Sequence, residues 1–346
     1  MHTPAISIIV PVYNNEDDVQ DCLDSIAAQT YTNWEAVCVD DGSTDTSGIL
    51  LDQMAARDPR FKVVHQVNGG VSSARNTGLK HVSAPYIIMV DSDDWLETHA
   101  LETLYTSMQQ NPCDMVVAGW KRVFKTKAPI ISLPAMQQGM QNAIPSQLFF
   151  KVHPGPVSKL YKRDIIIAHN IRFPEGITMG EDLLFNTQYW CYTRQVYCLK
   201  EAIYNYRESN TSVTGKFESG NLPFSVYEMT VRLPYIMYEM VSSCQEGVHK
   251  MNDWSRAILA VHMVEQSWAI DDALHTKAVR KELRLISRKY YNRLASQLEL
   301  ADRICIRCHY CYMWCHGRTF RILGKVKRTL KRLLRTLQSG LFRSIQ

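Results

Sequence analysis

The first part of the chain alternates between short apolar runs and longer segments in which apolar residues recur every three or four positions. The run ISIIVPVY (6–13) is almost continuously apolar, which is typical of a strand buried on both faces. The segment EDDVQDCLDSIAAQ (16–29) has helical spacing and acidic residues in its first turn, so it predicts a helix. This alternation of strand and helix predicts a mostly parallel sheet with helices on both faces.

The same pattern continues as far as residue 124. The predicted strands are 6–13, 34–41, 61–66, 85–93 and 113–124, and the predicted helices between them are 16–29, 44–57, 71–82 and 99–111. Residues 125–155 are rich in Pro and Gly, and we interpret them as an irregular connector over the edge of the sheet. From about residue 221 to 300 the pattern is helical with few breakers.

We therefore divide the chain of 346 residues into three parts. We expect residues 1–220 to form an α/β domain, residues 221–302 a helical region and residues 303–346 a tail. The tail is first rich in cysteine and then basic and amphipathic.

Polar clusters follow three of the predicted strands. They are Asp40-Asp41, Asn68-Gly69-Gly70 and Asp91-Ser92-Asp93-Asp94. In a parallel sheet ligands bind beyond the carboxyl ends of the strands, so these clusters are expected to converge. Carboxylates grouped in this way suit Mg²⁺ or Mn²⁺, which bridge the phosphates of a substrate. The alternative is a solvated strand end whose acids form turns and helix caps.

Five ordered motifs resemble the inverting glycosyltransferases of family 2, which have the GT-A fold and use nucleotide sugars. They are ISIIVPVYN (6–14), VDDGSTD (39–45), GVSSARNTGL (70–79), VDSDDW (90–95) and KLYKRDIIIAHNIRFPEGITMGEDLLFN (159–186). Each motif is weak alone, but together they cover about residues 5 to 215 in the order of the family.

The resemblance implies that residues 1–220 are the catalytic domain and that residues 221–302 shape the acceptor side. It also implies which residues bind the nucleotide sugar, bind the metal and act as the base. Those assigned to the nucleotide sugar are Pro11, Val12, Tyr13, Asp40, Asp41, Asn68, Arg75, Asp91 and Ser92. Asp40 corresponds to the acid that binds the base, and Asn68 to Arg75 lie along the ribose and diphosphate. The residues assigned to the Mn²⁺ or Mg²⁺ ion are Asp91, Asp93 and Asp94. Asp182 corresponds to the catalytic base, and its sequence context predicts a position at the start of a helix.

Charge is distributed unevenly along the chain. Residues 303–346 contain 11 Lys and Arg residues and no Asp or Glu, whereas the preceding residues contain 28 basic and 34 acidic side chains. Leucines recur every three or four positions between residues 318 and 342, with basic residues between them. This pattern predicts an amphipathic helix on an anionic membrane surface. A helix packed on the protein's own body and a dimer contact are the alternatives.

The cysteines of the tail have the spacing C-x2-C-x2-C-x3-C, at Cys305, Cys308, Cys311 and Cys315. This resembles an iron–sulfur run, but no proline follows the last cysteine. We favour a helix rich in cysteine and aromatic residues, and leave metal binding open.

The sequence shows no secretory leader and no run of roughly 20 apolar residues, so we expect a cytoplasmic protein at the inner face of the plasma membrane. Its expected partners are a nucleotide-sugar donor, a glycan or lipid-linked acceptor and an anionic membrane, without nucleic acid. The sequence lacks the transmembrane helices and the Q-x-x-R-W motif of the family's processive synthases, which favours the addition of a single sugar.

Two other functions compete with this interpretation. A nucleotidyltransferase would also use carboxylates and a metal, but it needs a glycine-rich basic loop after the first strand, where this chain has PVYNNEDD. A nucleic-acid-binding protein would explain the basic tail and would show salt-dependent binding, but it leaves the acidic clusters unexplained.

Overall fold

The structure is a computed structural model, and it describes residues 3–143, 148, 152–208 and 223–243. Its strands are β1 (Ile6–Val12), β2 (Trp34–Asp40), β3 (Phe61–His65), β4 (Tyr86–Met89), β5 (Trp95–Leu96), β6 (Met115–Val123), β7 (Ile130–Ser132), β8 (Gly139–Asn142), β9 (Lys159–Lys162) and β10 (Gln195–Arg207). Its helices are α1 (Val19–Ala27), α2 (Ser47–Arg57), α3 (Val71–His81), α4 (Ala100–Gln110), α5 (Arg163–Ala168), α6 (Glu181–Tyr192) and α7 (Phe224–Ser243).

All ten strands belong to one sheet, in the order β3-β2-β1-β4-β9-β6-β10-β5, with β7 and β8 paired to β6 and β10. The first four strands of this order are parallel, as the alternating pattern predicted. In the other half β6 and β10 are parallel, while β9 runs antiparallel between β4 and β6. The sheet is therefore mixed, with its parallel half built from the N-terminal residues.

The sheet has a hydrophobic core on each face. Every residue of β1 and β2 is buried, which explains why their sequences are mostly apolar, with Ser7, Glu35 and Asp40 as buried polar exceptions. On one face Ile9 packs with residues of α3 and α6, and on the other Ile8 packs with residues of α1, α2 and α4. The two faces alternate along β1, as the period of a strand requires.

The predicted connector at 125–155 contains two strands that the sequence analysis did not predict. Ile130–Ser132 pairs antiparallel with β6, and Gly139–Asn142 pairs antiparallel with β10. Pro129 and Pro134 flank β7 instead of interrupting it, and Ile130 and Ile131 are more than half exposed. Prolines at the ends of a short edge strand are compatible with pairing, so the breakers concealed it.

The acidic segment lies in a turn and not in a strand. β4 ends at Met89, four residues before the predicted end, and the N–H of Asp94 donates to the carbonyl of Asp91 at 3.1 Å. Asp and Ser favour such turns because their side chains compete for backbone hydrogen bonds. The convergence of the acids therefore depends on the turn and its neighbours.

The helical region predicted at 221–302 contains α7 within the described residues. Leu233 of α7 packs so closely on Gly180, just before α6, that a Cβ on this glycine would lie 2.2 Å from Leu233 Cδ1. The rest of that region, the cysteines at 305–315 and the amphipathic segment 318–342 lie outside the described residues. In the part of the chain that is described, the helices are all too short or too polar to span a bilayer.

Candidate active site

The predicted site residues lie at the carboxyl end of the parallel half of the sheet and at the start of α6. Pro11 and Val12 are buried in β1, and Tyr13 is half exposed where the strand ends. Asn14 then turns the chain with a positive φ of 45°. Tyr13 and Asn14 are thus the two residues of this stretch that are exposed to a ligand.

The loops after β1 and β2 are locked together by side-chain hydrogen bonds. Asn14 Oδ1 accepts from the N–H of Thr44 at 2.8 Å, and the N–H of Asn15 donates to Ser47 Oγ at 2.8 Å. Asn15 also donates from Nδ2 to Ser92 Oγ at 3.1 Å, which connects these loops to the acidic turn. Asn15 was not among the predicted site residues, although it directly follows the first motif, which ends at Asn14.

Asp40 and Asp41 are both buried, and both carboxylates have protein partners. Asp40 Oδ1 accepts from the N–H of Ser43 at 2.9 Å, and its Oδ2 lies 2.8 Å from His65 Nδ1. Burial opposes ionisation of Asp40, but the hydrogen bonds from Ser43 and His65 outweigh it and lower its pKa. Asp40 is therefore held as a carboxylate at the end of β2.

Asp41 holds the loop after β3. Its Oδ1 accepts from the N–H of Gly69 at 2.9 Å and its Oδ2 from the N–H of Gly70 at 2.8 Å. Gly42 permits this approach, because a Cβ there would lie 2.9 Å from the backbone nitrogen of Asn68. Asn68 itself is exposed at the rim of the loop.

The acidic turn is fixed from β10. The N–H of Asp91 donates to the Tyr204 hydroxyl at 3.1 Å, and this hydroxyl donates to Asp94 Oδ2 at 2.6 Å. Asp94 Oδ1 accepts from the N–H of Arg207 at 2.8 Å. Both oxygens of Asp94 thus serve the turn, which favours Asp91 and Asp93 over Asp94 as ligands of an ion. Tyr204 and Arg207 were missed because their spacing in sequence carries no sign of this contact.

Asp93 differs from its neighbours because no other described residue pairs with its carboxylate in a hydrogen bond or an ion pair. Burial, followed by repulsion from Asp91, raises its pKa to about 6. A partly buried carboxylate beside a second one is stabilised by a hard cation, and oxygen donors suit Mg²⁺ or Mn²⁺. Within the described part of the chain, no cluster of three or more acidic, His or Cys side chains forms a ready metal site. The residues therefore fit an ion that takes its other ligands from substrate and water.

Arg75 lies at the centre of the site, on α3, and its guanidinium is buried. Nη2 donates to Asp91 Oδ1 at 2.8 Å, and Nη1 donates to Asp182 Oδ1 at 2.6 Å and to Glu181 Oε1 at 3.5 Å. Burial alone would lower the pKa of Arg75, but the carboxylates, Asp182 first, raise it above its ordinary value. The structure thus brings Asp91 and Asp182 together on one cation.

The two acids at the start of α6 are unusually basic. Burial and the neighbouring Asp182 raise the pKa of Glu181 to about 8, and burial also raises the pKa of Asp182, against the attraction of Arg75. Asp182 is the second residue of α6, as the sequence predicted. A carboxylate whose pKa is raised by burial is suited to accept a proton.

A segment before β9 borders the second oxygen of Asp182. A Cβ on Gly155 would lie 3.6 Å from Asp182 Oδ2, and 2.8 Å from His153 Cε1. The N–H of Gly155 donates to His153 Nδ1 at 3.0 Å, and burial, followed by Lys159, lowers the pKa of this histidine to about 3. His153 is therefore neutral, with its remaining ring N–H at Nε2.

Lys159 holds this segment in place. Its buried ammonium donates to the carbonyl oxygens of His153, at 2.8 Å, and of Gly155 and Val157. Burial lowers the pKa of Lys159 to about 7, while the nearby Asp182 opposes the loss of the proton. Lys159 is thus a second cationic side chain whose charge acts on Asp182.

The chain is similar in sequence to known glycosyltransferases. The chain is 35% identical over 221 residues to the uncharacterized glycosyltransferase EpsJ of Bacillus subtilis, covering 61% of this chain and 63% of EpsJ. It is 33% identical to the putative glycosyltransferase EpsH of the same organism, covering 63% of this chain and 65% of EpsH. The alignments thus span slightly less than two thirds of these relatives.

Solved structures share the fold. Residues 1–349 of TarS from S. aureus, in complex with UDP-GlcNAc, superpose with a TM-score of 0.63 at 19% identity, covering 84% of this chain and 90% of that one. The mannosyltransferase PcManGT from Pyrobaculum calidifontis, in complex with GDP-Man and Mn²⁺, has a TM-score of 0.50 at 15% identity, covering 89% and 87%. The chain has the GT-A fold that the motifs implied.

The sequence profile described as glycosyl transferase family 2 matches residues 7–167. This range contains four of the five motifs and the beginning of the fifth, and it ends before Asp182. The chain is therefore similar to glycosyl transferase family 2 over this range, which is slightly less than half of its residues.

Proposed function

We propose that the protein is an inverting, metal-dependent glycosyltransferase that moves a single sugar from a UDP-sugar to a glycan or lipid-linked acceptor in cell-surface polysaccharide synthesis. One observation carries the proposal: Asp91 and Asp182 meet on the two terminal nitrogens of the Arg75 guanidinium. A donor-side acid and a base are thereby held within the width of one side chain, as a transfer reaction requires.

Asp91 and Asp93 are the proposed ligands of a Mg²⁺ or Mn²⁺ ion. When bound, such an ion offsets the negative charge that develops on the leaving diphosphate. Tyr204 and Asn15 hold the acidic turn before any ligand arrives, through the bonds to Asp91 N and Ser92 Oγ. The Mn²⁺ complex of PcManGT supports this choice of ion.

Asp182 is the proposed general base. Its Oδ1 is bound to Arg75, whereas its Oδ2 lies on the side of Gly155, and we assign Oδ2 to the proton of the acceptor hydroxyl. The base would take the proton of that hydroxyl as its oxygen attacks the anomeric carbon in line with the departing diphosphate. A single displacement inverts the anomeric centre and needs no covalent intermediate.

The nucleotide is proposed to lie across the ends of β1 and β2. Tyr13 offers an exposed ring for the base, Asp40 and Asp41 lie buried at the end of β2, and Asn68 is exposed in the loop that Asp41 holds. The choice of uracil is supported by the TarS structures with UDP and UDP-GlcNAc. TarS of Staphylococcus aureus is named a poly(ribitol-phosphate) beta-N-acetylglucosaminyltransferase, which supports a polymer of the cell surface as acceptor.

The proposal can be tested without knowing the acceptor, because water can replace it slowly. The experiment incubates the full chain with Mn²⁺ and a panel of UDP-sugars, measures UDP release, and follows the freed sugar by proton NMR. We expect release with at least one donor, inversion in the first-formed sugar, and loss of release without a divalent ion. Release that retains the anomeric configuration would contradict the mechanism, and no release from any UDP- or GDP-sugar would contradict the function.

A further inference from the structure

We infer that Arg75 is a positioning residue that orients the base Asp182, and not a ligand of the diphosphate. The inference deepens the function proposed above and rests on it. It concerns one contact, between Arg75 Nη1 and Asp182 Oδ1 at 2.6 Å.

Burial is the first observation that supports it. The Arg75 side chain is 4% exposed, whereas its partners Asp91 and Asp182 are 29% and 28% exposed. The guanidinium therefore lies beneath the two carboxylates, and they stand between it and solvent. A ligand that approaches from solvent meets the acids before it meets Arg75.

The hydrogen bonds of the guanidinium are the second observation. Both terminal nitrogens are used by carboxylates, and Nε is buried without a partner. An unpaired buried N–H costs on the order of 1–3 kcal/mol, so the side chain is held in place by its carboxylates despite this cost. A planar fork can bind two separate acids at once, which a lysine cannot do.

The surroundings of Asp182 show why its orientation depends on Arg75. Among the described residues, Arg75 is the one cation in an ion pair with Asp182, and it takes Oδ1. This leaves Oδ2 directed towards Gly155. Without the anchor the carboxylate can rotate about its side-chain bonds, and a base displaced by about 1 Å loses up to about a hundredfold in rate.

Arg75 is itself fixed by the helix that carries it. The next residue, Asn76, bonds the backbone of Phe173 in both directions, at 2.8 Å each, and the Phe173 ring lies 5.2 Å from the Arg75 guanidinium. Helix α3 thus holds the segment before α6 through Asn76, and it holds Asp182 at the start of α6 through Arg75. The acidic turn, in contrast, has hydrogen bonds with Tyr204 and Asn15 that do not involve Arg75.

The test compares Arg75→Lys with Arg57→Lys, the same change at an exposed arginine of α2. UDP release from the best UDP-sugar gives kcat, and calorimetric titration of UDP with Mn²⁺ gives Kd. For Arg75→Lys we expect kcat to fall about 10- to 100-fold and Kd to change less than about threefold. In an Asp182→Asn background, Arg75→Lys should lower the residual kcat by less than about threefold, because the two residues act as a unit.

A Kd raised about tenfold or more, or a full loss of kcat that persists with Asp182→Asn, would assign Arg75 to the diphosphate and overturn the inference. An inactive wild type would instead overturn the proposed function and the inference with it. If Arg75→Lys does not fold, Arg75→Gln combined with Glu181→Gln removes one charge of each sign, and it is compared with Glu181→Gln alone. The same comparison of kcat with Kd then distinguishes a positioning role of Arg75 from a contact with the diphosphate.

Discussion

At the scale of the residue, the site is a chain of carboxylates separated by single donors. Asp91, Asp182 and Glu181 share Arg75, while Asp94 shares the Tyr204 hydroxyl with the backbone of Asp91. Removing one partner from such a buried network leaves the other without compensation, which costs more than the pair itself contributes. We therefore expect substitutions in this network to change kcat and the Kd for UDP by different factors.

Asp182→Asn removes the proposed base and keeps its shape. We expect kcat for UDP release to fall by about 10² to 10⁴, the usual range for a general base, with Kd for UDP and Mn²⁺ nearly unchanged. Asp164→Asn, at the start of α5, is a matched control at a distance from the site. A variant that keeps more than half of the wild-type kcat would exclude Asp182 as the base.

Tyr204→Phe removes the hydroxyl that joins Asp91 to Asp94. The buried Asp94 carboxylate then loses a bond of 2.6 Å, so we expect a loss of about 1–3 kcal/mol in the free energy of unfolding. The acidic turn should also be less ordered, and Mn²⁺-dependent UDP binding should weaken. Unfolding by urea and the UDP titration measure the two effects, and unchanged values in both would show that the hydroxyl is dispensable.

At the scale of the element, the parallel strands are joined by one buried acid far from the site. Glu35 of β2 accepts from Ser7 Oγ of β1 at 2.6 Å, from Lys62 Nζ of β3 at 2.5 Å and from the N–H of Ser83 before β4 at 2.7 Å. Burial opposes ionisation, yet the bonds from Lys62, Ser7 and Ser83 outweigh it and lower the pKa of Glu35 to about 2. One carboxylate thus connects the three neighbouring strands β3, β2 and β1 and the segment that leads into β4.

This lowered pKa predicts how stability depends on pH. A carboxyl group that is more acidic in the folded chain stabilises the fold above its unfolded pKa and loses this contribution as pH falls through its folded pKa. We expect Glu35 to contribute about 2–3 kcal/mol at neutral pH, lost between about pH 4.5 and pH 2. Urea unfolding at several pH values should show Glu35→Gln to be less stable at pH 7 and nearly equal to wild type at pH 2. An equal difference at both pH values would refute the assignment.

Helix α3 lies so close to β1 that Gly78 has no room for a side chain. A Cβ there would lie 2.4 Å from Ile9 Cγ2. Alanine favours helices by about 1 kcal/mol over glycine, but overpacking costs about 1–3 kcal/mol, so we expect Gly78→Ala to destabilise the fold. In an Ile9→Ala background the same change should stabilise it or be neutral, and a double-mutant cycle from urea unfolding measures this coupling. Additive effects would show that the two side chains do not compete for space.

At the scale of the whole molecule, the acidic body and the basic tail predict a protein that works at a membrane surface. Residues 318–342 carry the amphipathic basic pattern and lie outside the described residues, so this remains a prediction from sequence. Replacing Lys325, Arg328 and Arg332 by Glu should abolish co-sedimentation with vesicles that contain phosphatidylserine, because each basic residue contributes about 1 kcal/mol. The control variant keeps the charge at each position, with Lys325→Arg, Arg328→Lys and Arg332→Lys. Equal binding of both variants would contradict the membrane prediction.

The sequence predicted the parallel half of the fold well because its strands are buried on both faces and separated by helices with regular spacing. It predicted less of the other half, since β7 and β8 are short edge strands flanked by prolines and Gly residues. It indicated which acids lie at the strand ends, yet not that Asp94 is used by Tyr204 and Arg207, more than a hundred residues away. It assigned Arg75 to the nucleotide sugar but gave no sign that Arg75 pairs with both Asp91 and Asp182, because only the fold brings α6 next to α3.

Binding of the donor nucleotide through a metal ion at the acidic turn is tested most directly by calorimetric titration of UDP, with and without Mn²⁺, on the wild type, Asp93→Ala and Asp182→Asn. We expect the wild type to bind UDP only with Mn²⁺. We expect Asp93→Ala to lose this binding and Asp182→Asn to retain it. Binding that is equally tight in the absence of Mn²⁺, or that survives in Asp93→Ala, would contradict the assignment of the acidic turn to a metal-bound donor.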